Sequence, residues 1–257
     1  MPADVSAAVI ANTPLSSDYN VLALAAPEIA ASAAPGQFVM VKVASGHDPL
    51  LRRPFSVFEV LRDRDGRPTG ITLLNKRIGV STRLLSIAQP GDRVACLGPL
   101  GRRWEPPSNG SPAYMVAGGV GLAAFATLAE SLAGARVPQV LFYGARSGAE
   151  LFYLDFFKAL GAELVLTTED GSVGERGRIT APLDRRLASS SGPTPVVYAC
   201  GPEGMMAATS RVARQYQTPC FVSLERIMGC GLGGCYSCVV PVRGDDGHVH
   251  HMRSCLA

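Results

Sequence analysis

The chain has 257 residues, of which 47% are hydrophobic and 18% are charged, and its net charge is +3. This length predicts two domains and a small appendage, and the low charge argues against a nucleic-acid partner, which would require a basic block. The sequence has no apolar run of eighteen residues and no basic, apolar leader at its start. We therefore expect a cytoplasmic protein without a membrane partner.

The first hundred residues have the pattern of an all-β domain. Short runs rich in β-branched and apolar residues alternate with Pro-Gly and Asp-Gly turns, at the spacing of an antiparallel barrel. We predict a β-barrel over residues 1–103, with strands at 5–10, 19–25, 37–43, 55–60, 70–74 and 93–97.

A possible flavin motif lies inside this barrel, at Arg53, Pro54, Phe55 and Ser56. On an extended strand alternate side chains share a face, so Arg53 and Phe55 would point one way and Pro54 and Ser56 the other. A guanidinium fork suits a pyrophosphate, and a hydroxyl beside it can meet the edge of a flavin ring. Ordinary protection of an edge strand by an Arg-Pro pair is the alternative interpretation.

A second stretch follows, where Leu74, Asn75 and Lys76 end a strand. Gly79, Ser81 and Thr82 then open a short helical segment, and the free N–H groups of such a turn form an anion site. The alternative is a plain Ser/Thr cap at the start of a helix.

Strands and helices alternate over residues 111–218, which predicts a doubly wound parallel sheet that binds a pyridine nucleotide at the carboxyl ends of its strands. Gly-Gly-Val-Gly after the strand at 113–117 is a weak phosphate motif and could equally be a tight packing turn. We expect helices at 122–133, 151–160 and 204–215. The candidate coenzyme contacts all lie at strand ends: Gly118, Gly119, Gly121, Thr168, Glu169, Asp170, Cys200, Gly201 and Pro202.

The last segment, residues 219–257, contains five of the seven cysteines, and four of them form one spaced set. The C-x4-C-x2-C spacing of Cys230, Cys235 and Cys238, with a distant Cys255, matches the thiolate ligands of a plant-type 2Fe-2S cluster. The odd cysteine number argues against disulfides, although ordinary buried thiols remain an alternative. A zinc site fits the x4 gap poorly. Three nearby histidines could suggest zinc but are better explained as a polar hairpin tip: His248, His250 and His251.

Taken together, these motifs resemble the ferredoxin reductase-like family, and within it the NAD-linked electron-transfer subunits of type B dihydroorotate dehydrogenases. Residues 223–230 also resemble the family's approach to its cluster. The resemblance implies a flavin barrel, a pyridine-nucleotide domain and a cluster module, with FAD, a 2Fe-2S cluster and NAD(H) as cofactors. It further implies a partner, an FMN-containing dihydroorotate dehydrogenase catalytic subunit, in a heterotetramer of two of each chain that serves pyrimidine biosynthesis. The substrate chemistry would belong to that partner, so we expect no catalytic acid or base here.

Two other interpretations remain open on the sequence alone. A related NAD(P)H reductase subunit, serving a hydrogenase, a sulfide dehydrogenase or an oxygenase, would share the same domains and cysteine spacing. A protein of another class, a non-catalytic binding module with a degenerate flavin site, would keep the fold but not the intact Arg53–Ser56 motif and the four thiols.

Overall fold

A computed structural model describes residues 1–43, 48–108, 110–224, 226–244 and 246–257. Glu225, in the predicted approach to the cluster, and Asp245, in the polar turn before the histidines, lie outside the described residues. The chain divides into two units, and we call Met1–Trp104 with Arg226–Ala257 unit 1 and Glu105–Glu225 unit 2.

Unit 1 contains a curled sheet of seven antiparallel strands. Phe58 N–H donates to the Thr72 carbonyl at 2.9 Å, so the segment after the fourth strand meets the sixth and the sheet curls into a half-barrel. In spatial order the strands are β4 (Arg53–Ser56), β3 (Phe38–Lys42), β7 (Arg93–Leu100), β1 (Ala3–Pro14), β2 (Tyr19–Ala25), β6 (Pro68–Lys76) and β5 (Val60–Arg62). The predicted antiparallel β-domain is confirmed.

Alternation along the strands builds the core of this half-barrel. In β7, Val94 and Cys96 are fully buried while the residues between them are less so, as expected for a strand with one face on the core. Burial raises the pKa of the Cys96 thiol to about 12, which suits an apolar filler. Two helices complete the barrel: α1 (Pro27–Ala30) and α2 (Val80–Ile87), whose Leu85 enters the core.

Unit 2 is a parallel six-stranded sheet with helices, which confirms the predicted doubly wound domain. Its strands lie in the order β11 (Glu175–Arg176), β10 (Glu163–Thr168), β9 (Gln139–Ala145), β8 (Ala113–Gly118), β12 (Val196–Cys200) and β13 (Cys220–Ser223). Every residue of β8 is buried, as in the centre of such sheets. The helices are α3 (Ala126–Gly134), α4 (Leu154–Ala159), α5 (Thr180–Ala188) and α6 (Glu203–Gln215).

The sequence located the elements of unit 2 but not all of their limits. The helix expected at 122–133 begins as a 3-10 segment, Gly119–Ala124, and becomes α-helical only at Ala126. This first turn lies against β12, where a Cβ on Gly121 would come within 2.2 Å of the Cys200 carbonyl oxygen, and 3-10 turns are common at the start of α-helices. β13 also pairs with β12, so residues 220–223 belong to this sheet.

The cysteine-rich segment belongs to unit 1 and ends in an antiparallel hairpin of β14 (Val239–Arg243) and β15 (Val249–Arg253). It packs on the half-barrel through one apolar cluster, formed by Met40, Leu100, Met228, Cys238 and Cys255. Among the described residues, no helix has the length and apolar character needed to span a membrane.

Candidate cofactor-binding sites

The four cysteines of unit 1 stand in two pairs. The sulfurs of Cys238 and Cys255 are 3.2 Å apart, and both residues are buried. Cys235 lies at the surface, and Cys230 is close enough to lower its pKa. Cys238 and Cys255 are distant in sequence, but the β14–β15 hairpin brings them together. At its base, Ser254 N–H donates to the Cys238 carbonyl at 3.1 Å.

The loop around these thiols depends on left-handed glycines. Gly231 has a φ of +72° and lies against Met40, where a Cβ would approach the Met40 Cγ to 2.6 Å; Gly233, with φ +81°, lies equally close to Leu256. Leu232 N–H donates to Cys230 Sγ at 3.3 Å. A side chain at Gly231 would push the loop off the half-barrel, and one at Gly233 would collide with Leu256, so these positions set how closely the backbone surrounds the sulfurs.

Hydrogen bonds and burial act in opposite directions on the thiols. Hydrogen bonds from the Ser237 side chain and backbone, followed by those from Cys230, lower the pKa of Cys235 to about 6. Burial, followed by the neighbouring Cys238, raises the pKa of Cys255 to about 11. Thiolate is the form that ligates metal, so binding a metal would release a proton from Cys255 at neutral pH.

The paired arrangement fits a dinuclear cluster better than a single zinc ion. In the part of the chain that the structure describes, no three Cys, His, Asp or Glu side chains surround one point that could hold a metal ion. A 2Fe-2S cluster requires two ligands on each iron, whereas structural zinc requires four around one centre. His250 is instead bonded to Asp246 at 3.0 Å on the hairpin.

The predicted flavin residues of unit 1 lie on neighbouring segments. Arg53 is exposed on β4, where its guanidinium donates to the carbonyls of Leu51 and Arg52 at 3.1 and 3.3 Å. Pro54 is paired directly with Met40 of β3, the residue that the cysteine loop contacts. The β4 motif is therefore one strand away from the thiol module.

The second and third flavin stretches meet through Asn75 and Thr82. Asn75, at the end of β6, donates to the Thr82 carbonyl at 2.9 Å, while the Thr82 hydroxyl accepts the N–H groups of Ile78 and Gly79, both at 2.9 Å. Arg83 N–H is bonded to the Gly79 carbonyl, so the N–H groups of Val80, Ser81 and Thr82 precede the first backbone bond within the helix. Such N–H groups are the kind that the predicted anion site would use, and the Thr82 hydroxyl holds the shape of the turn. Leu74 and Ser81 are buried, and Lys76 lies 5.0 Å above the Tyr19 ring.

In unit 2 the predicted coenzyme residues gather at one edge of the sheet. Strands β8, β9, β10 and β12 are parallel neighbours, so their carboxyl ends face the same way. The chain leaves β8 toward β9 on one side and reaches β12 on the other, and this reversal is where such sheets bind nucleotides. The turns at that edge carry Gly118, Gly119, Gly121, Thr168, Glu169, Asp170, Cys200, Gly201 and Pro202.

Packing explains some of these residues without a ligand. A Cβ on Gly118 would meet Met205 Sδ at 2.6 Å and Pro202 at 2.8 Å, and Gly201 lies as close to the backbone of Gly118. The Thr168 hydroxyl is buried and closes a turn with Val173. Glu169 and Asp170 are exposed, and hydrogen bonds from the Ser172 side chain and backbone lower the pKa of Asp170. Gly119 has a φ of +53°, in the left-handed region that favours glycine.

Comparison with known proteins agrees with this geometry. Residues 115–211 match the oxidoreductase NAD-binding domain model, and residues 225–256 match the iron-sulfur cluster binding domain of dihydroorotate dehydrogenase B. The dihydroorotate dehydrogenase B (NAD(+)) electron transfer subunit of Desulforamulus reducens is 38% identical over 90% of this chain and 86% of its own. That of Bacillus caldolyticus is 40% identical over 82% of this chain and 79% of its own. The chain belongs to this family of electron transfer subunits.

Solved structures support the same fold. The NADH-dependent reduced ferredoxin-NADP oxidoreductase, reported for flavin-based electron bifurcation, matches with a TM-score of 0.83 and 27% identity over the whole of this chain and 87% of that one. The ferredoxin reductase in carbazole 1,9a-dioxygenase, at 22% identity over 86% of this chain and 69% of its own, has a TM-score of 0.74 and shares the fold.

Membership in the dihydroorotate dehydrogenase B family confirms the predicted type of activity and the cofactors. The chain is an NAD-linked electron-transfer oxidoreductase, and FAD, a 2Fe-2S cluster and NAD(H) are its cofactors. As an electron transfer subunit it works with a catalytic subunit.

Sequence reasoning missed several residues that shape these sites. Ser237 accepts Gly229 N–H at 2.8 Å and lies 3.1 Å from Cys235 Sγ. Arg253 donates to the Gly233 carbonyl at 2.7 Å and stacks on Tyr236. The position of Ser237 between two ligand cysteines was a usable signal, whereas Arg253 is brought to the loop only by the hairpin.

Proposed function

We propose that this chain exchanges electrons between NAD(H) and an FMN-containing dihydroorotate dehydrogenase catalytic subunit, in a heterotetramer of two of each chain that serves pyrimidine biosynthesis in the cytoplasm. Three domains would divide the work: residues 1–103 for FAD, 111–223 for NAD(H), with β13 in its sheet, and 226–257 for the cluster. The cluster ligands are Cys230, Cys235, Cys238 and Cys255.

The observation that carries this proposal is the contact between the thiol module and the flavin motif in unit 1. Met40 is fully buried, pairs with Pro54 across β3 and β4, and belongs to the same apolar cluster as Cys238 and Cys255. Met40 thus links the strand beside the predicted flavin motif to the cluster that contains the buried thiol pair. This proximity favours a relay over an ordinary structural metal site.

When bound, the cofactors supply hydride transfer between NAD(H) and FAD and single-electron transfer through the 2Fe-2S cluster. The protein residues supply position and charge. Arg53 would turn from the carbonyls it now contacts to the FAD pyrophosphate, since a phosphate offers a charge-assisted, bidentate partner. The Ser56 hydroxyl would meet the flavin ring, and the turn at Ser81 and Thr82 would hold phosphate oxygens. The other proposed FAD contacts are Pro54, Phe55, Leu74, Asn75 and Lys76.

In unit 2 the nucleotide would lie across the carboxyl ends of β8 and β12. Gly119 would let the backbone approach the coenzyme, because glycine has no Cβ and adopts the left-handed conformation found here. The other turns would line the same edge with Gly118, Gly121, Thr168, Glu169, Asp170, Cys200, Gly201 and Pro202.

Co-purification tests the partner. The chain is produced anaerobically with a type B dihydroorotate dehydrogenase catalytic subunit, and the complex is analysed by mass, flavin extraction and NAD+-dependent oxidation of dihydroorotate. We expect two copies of each chain, equal amounts of FAD and FMN, and NADH formation only with both chains present. Reduction of a ferredoxin without dihydroorotate oxidation by the assembled pair would instead favour the related reductase subunits.

A further inference from the structure

Three asparagine side chains form a continuous hydrogen-bonded chain through the half-barrel of unit 1. Asn20 Nδ2 donates to Asn12 Oδ1 at 2.6 Å, and Asn75 Nδ2 donates to Asn20 Oδ1 at 2.7 Å. Asn20 and Asn75 face each other directly across β2 and β6, and both are buried, with 4% and 0% exposure. The chain crosses three adjacent strands.

Both ends of this chain reach the same helix, α2. Asn12 Nδ2 donates to the carbonyls of Leu85, Ser86 and Ala88 at 3.1, 3.2 and 2.9 Å, which are carbonyls that the end of a helix leaves unpaired. Asn75 Nδ2 donates to the Thr82 carbonyl, in the first turn of that helix, at 2.9 Å. The asparagines therefore hold α2 at its beginning and at its end.

The direction of every bond in the chain is fixed by these ends. Backbone carbonyls can only accept, so Asn12 must turn its NH2 group toward the end of α2 and its oxygen toward Asn20. Asn20 must then present its NH2 to Asn12 and its oxygen to Asn75. The single NH2 group of Asn75 donates one hydrogen to the Asn20 oxygen and the other to the Thr82 carbonyl. If one amide were flipped, two oxygens or two NH2 groups would face each other and a hydrogen bond would be lost. The three side chains therefore have a single consistent arrangement.

Buried amides are a costly way to pack a barrel. A buried amide destabilises the fold unless it is hydrogen-bonded, and apolar side chains of the same size would fill the space without that penalty. The described residues leave Asn75 Oδ1 without a donor, an added cost. The network has a directional effect that apolar contacts lack. Its hydrogen bonds fix the position of α2 relative to three strands, whereas apolar contacts alone would allow α2 to slide.

The helix so fixed carries the turn assigned above to FAD phosphate. We propose that Asn12, Asn20 and Asn75 are positioning residues that set α2, and with it the Gly79–Thr82 turn, at the geometry required for the FAD pyrophosphate. This inference rests on the proposed FAD site. It adds to that site two residues, Asn12 and Asn20, that lie outside the flavin motifs.

The test compares FAD with riboflavin, which lacks the phosphates, on the flavin-free full chain. Asn20→Leu keeps the side-chain size and removes the centre of the network. We expect the dissociation constant of FAD to rise about tenfold, the loss of one well-placed hydrogen bond to a charged group, while that of riboflavin stays the same. If Asn20→Leu does not unfold cooperatively, it is not properly folded and Asn12→Ser replaces it in the test. Asn12→Ser keeps a short hydroxyl donor, and the same ratio of FAD affinity to riboflavin affinity decides the outcome.

Gln139→Leu is the matched control. Gln139 is also a buried amide that donates to two backbone carbonyls, those of Ala129 and Leu160, but it lies in unit 2. It should lower thermal stability and leave both flavin affinities unchanged. An equal loss of FAD and riboflavin binding in Asn20→Leu, or no loss of either, would overturn the positioning role.

A second variant separates this inference from the FAD site itself. Thr82→Val removes the hydroxyl that accepts two N–H groups of the turn. If Thr82→Val weakens FAD and Asn20→Leu does not, the positioning role is wrong and the phosphate site remains. If Thr82→Val leaves FAD affinity unchanged, the phosphate site itself is wrong. In the double variant the two effects on FAD should be less than additive, because both act through the same turn.

Discussion

At the scale of single residues, Arg53 offers the most direct test of the flavin site. In the bonds described, its exposed guanidinium donates only to the carbonyls of Leu51 and Arg52, just before β4. A phosphate can therefore compete for it. Arg53→Ala should raise the FAD dissociation constant roughly 10- to 150-fold, the value of a charge-assisted hydrogen bond of about 1.5–3 kcal/mol. Lys should restore binding in part, since it lacks the bidentate fork. Titration of the flavin-free chain with FAD measures this.

Arg62→Ala is the control for Arg53. Arg62 is likewise an arginine that donates to a backbone carbonyl, that of Gly66 at 3.0 Å, but on β5 at the other end of the sheet. Its removal should leave FAD affinity at the wild-type value. Full FAD affinity in Arg53→Ala would show that this arginine does not bind the pyrophosphate.

Glu59 predicts a dependence of stability on pH. Burial raises its pKa above the ordinary 4.5, although the Thr72 hydroxyl, bonded to it at 3.0 Å, acts in the opposite direction. The folded state therefore binds this proton more tightly than the unfolded state. The corresponding stability is complete below pH 4.5 and is lost as the pH rises through the raised pKa.

The measurement is the unfolding temperature of Glu59→Gln and of the wild type from pH 4.5 upward. The wild type should lose stability relative to Glu59→Gln across this range, because the neutral amide has no proton to lose. Glu28→Gln, at an exposed position in α1, controls for the loss of one surface carboxylate. A constant difference between Glu59→Gln and the wild type at every pH would contradict the raised pKa.

At the scale of elements, a substitution in the turn after β8 distinguishes a packing role from a coenzyme-binding role for Gly121. A Cβ on Gly121 would come within 2.2 Å of the Cys200 carbonyl oxygen, which belongs to rigid backbone. Gly121→Ala should therefore lower the free energy of unfolding by about 1–3 kcal/mol, the typical cost of overpacking. Denaturant unfolding measures it. If packing is the whole role of Gly121, the NADH affinity of the fraction that remains folded should change little.

Gly134, at the end of α3, has open space around its Cα. Gly134→Ala should leave stability unchanged or raise it by about 0.4–1 kcal/mol, because alanine restricts the unfolded chain. If Gly121→Ala folds as well as Gly134→Ala but loses NADH binding, the glycine at 121 serves the coenzyme and not the packing.

The elements show where sequence reasoning succeeds. The alternation along β7 and the continuous apolar run of β8 are local signals, and both strands were predicted within a few residues. The 3-10 segment after β8 was not predicted, and it lies against Cys200, a residue on another strand that no local pattern brings there. The membership of β13 in the sheet was missed for the same reason, since Cys220–Ser223 is defined by its pairing with β12.

At the scale of the whole molecule, the cysteine spacing predicted the ligand set but not its arrangement. The pairing of Cys238 with Cys255 depends on the hairpin between them, and the contact of the module with Met40 depends on how it packs on β3 and β7. The link between Asn20 and Asn75 spans 55 positions in the sequence. No local pattern encodes such contacts, because each results from the packing of distant segments.

The same arrangement predicts which function fails when one thiol is lost. Cys235 lies in the exposed pair, so Cys235→Ala should abolish the paramagnetic resonance of the reduced 2Fe-2S cluster without opening the core of unit 1. The proposed FAD contacts lie on β4, β6 and α2, and Cys235 is not one of them. NADH should therefore still reduce the flavin, which is measured by its bleaching, while electron exchange with the catalytic subunit stops.

Cys96→Ala is the matched control, because it also removes a thiol from unit 1 but at a fully buried position of β7. It should keep the resonance and lose about 1 kcal/mol of stability through the small cavity that it creates. Electron exchange at the wild-type rate in Cys235→Ala would exclude the cluster from the path to the partner. Zinc in place of iron in the anaerobically prepared wild type would exclude the relay altogether, because zinc has no redox chemistry. The four cysteines would then form a structural metal site, and the apolar cluster around Met40 would serve only to hold the module on the half-barrel.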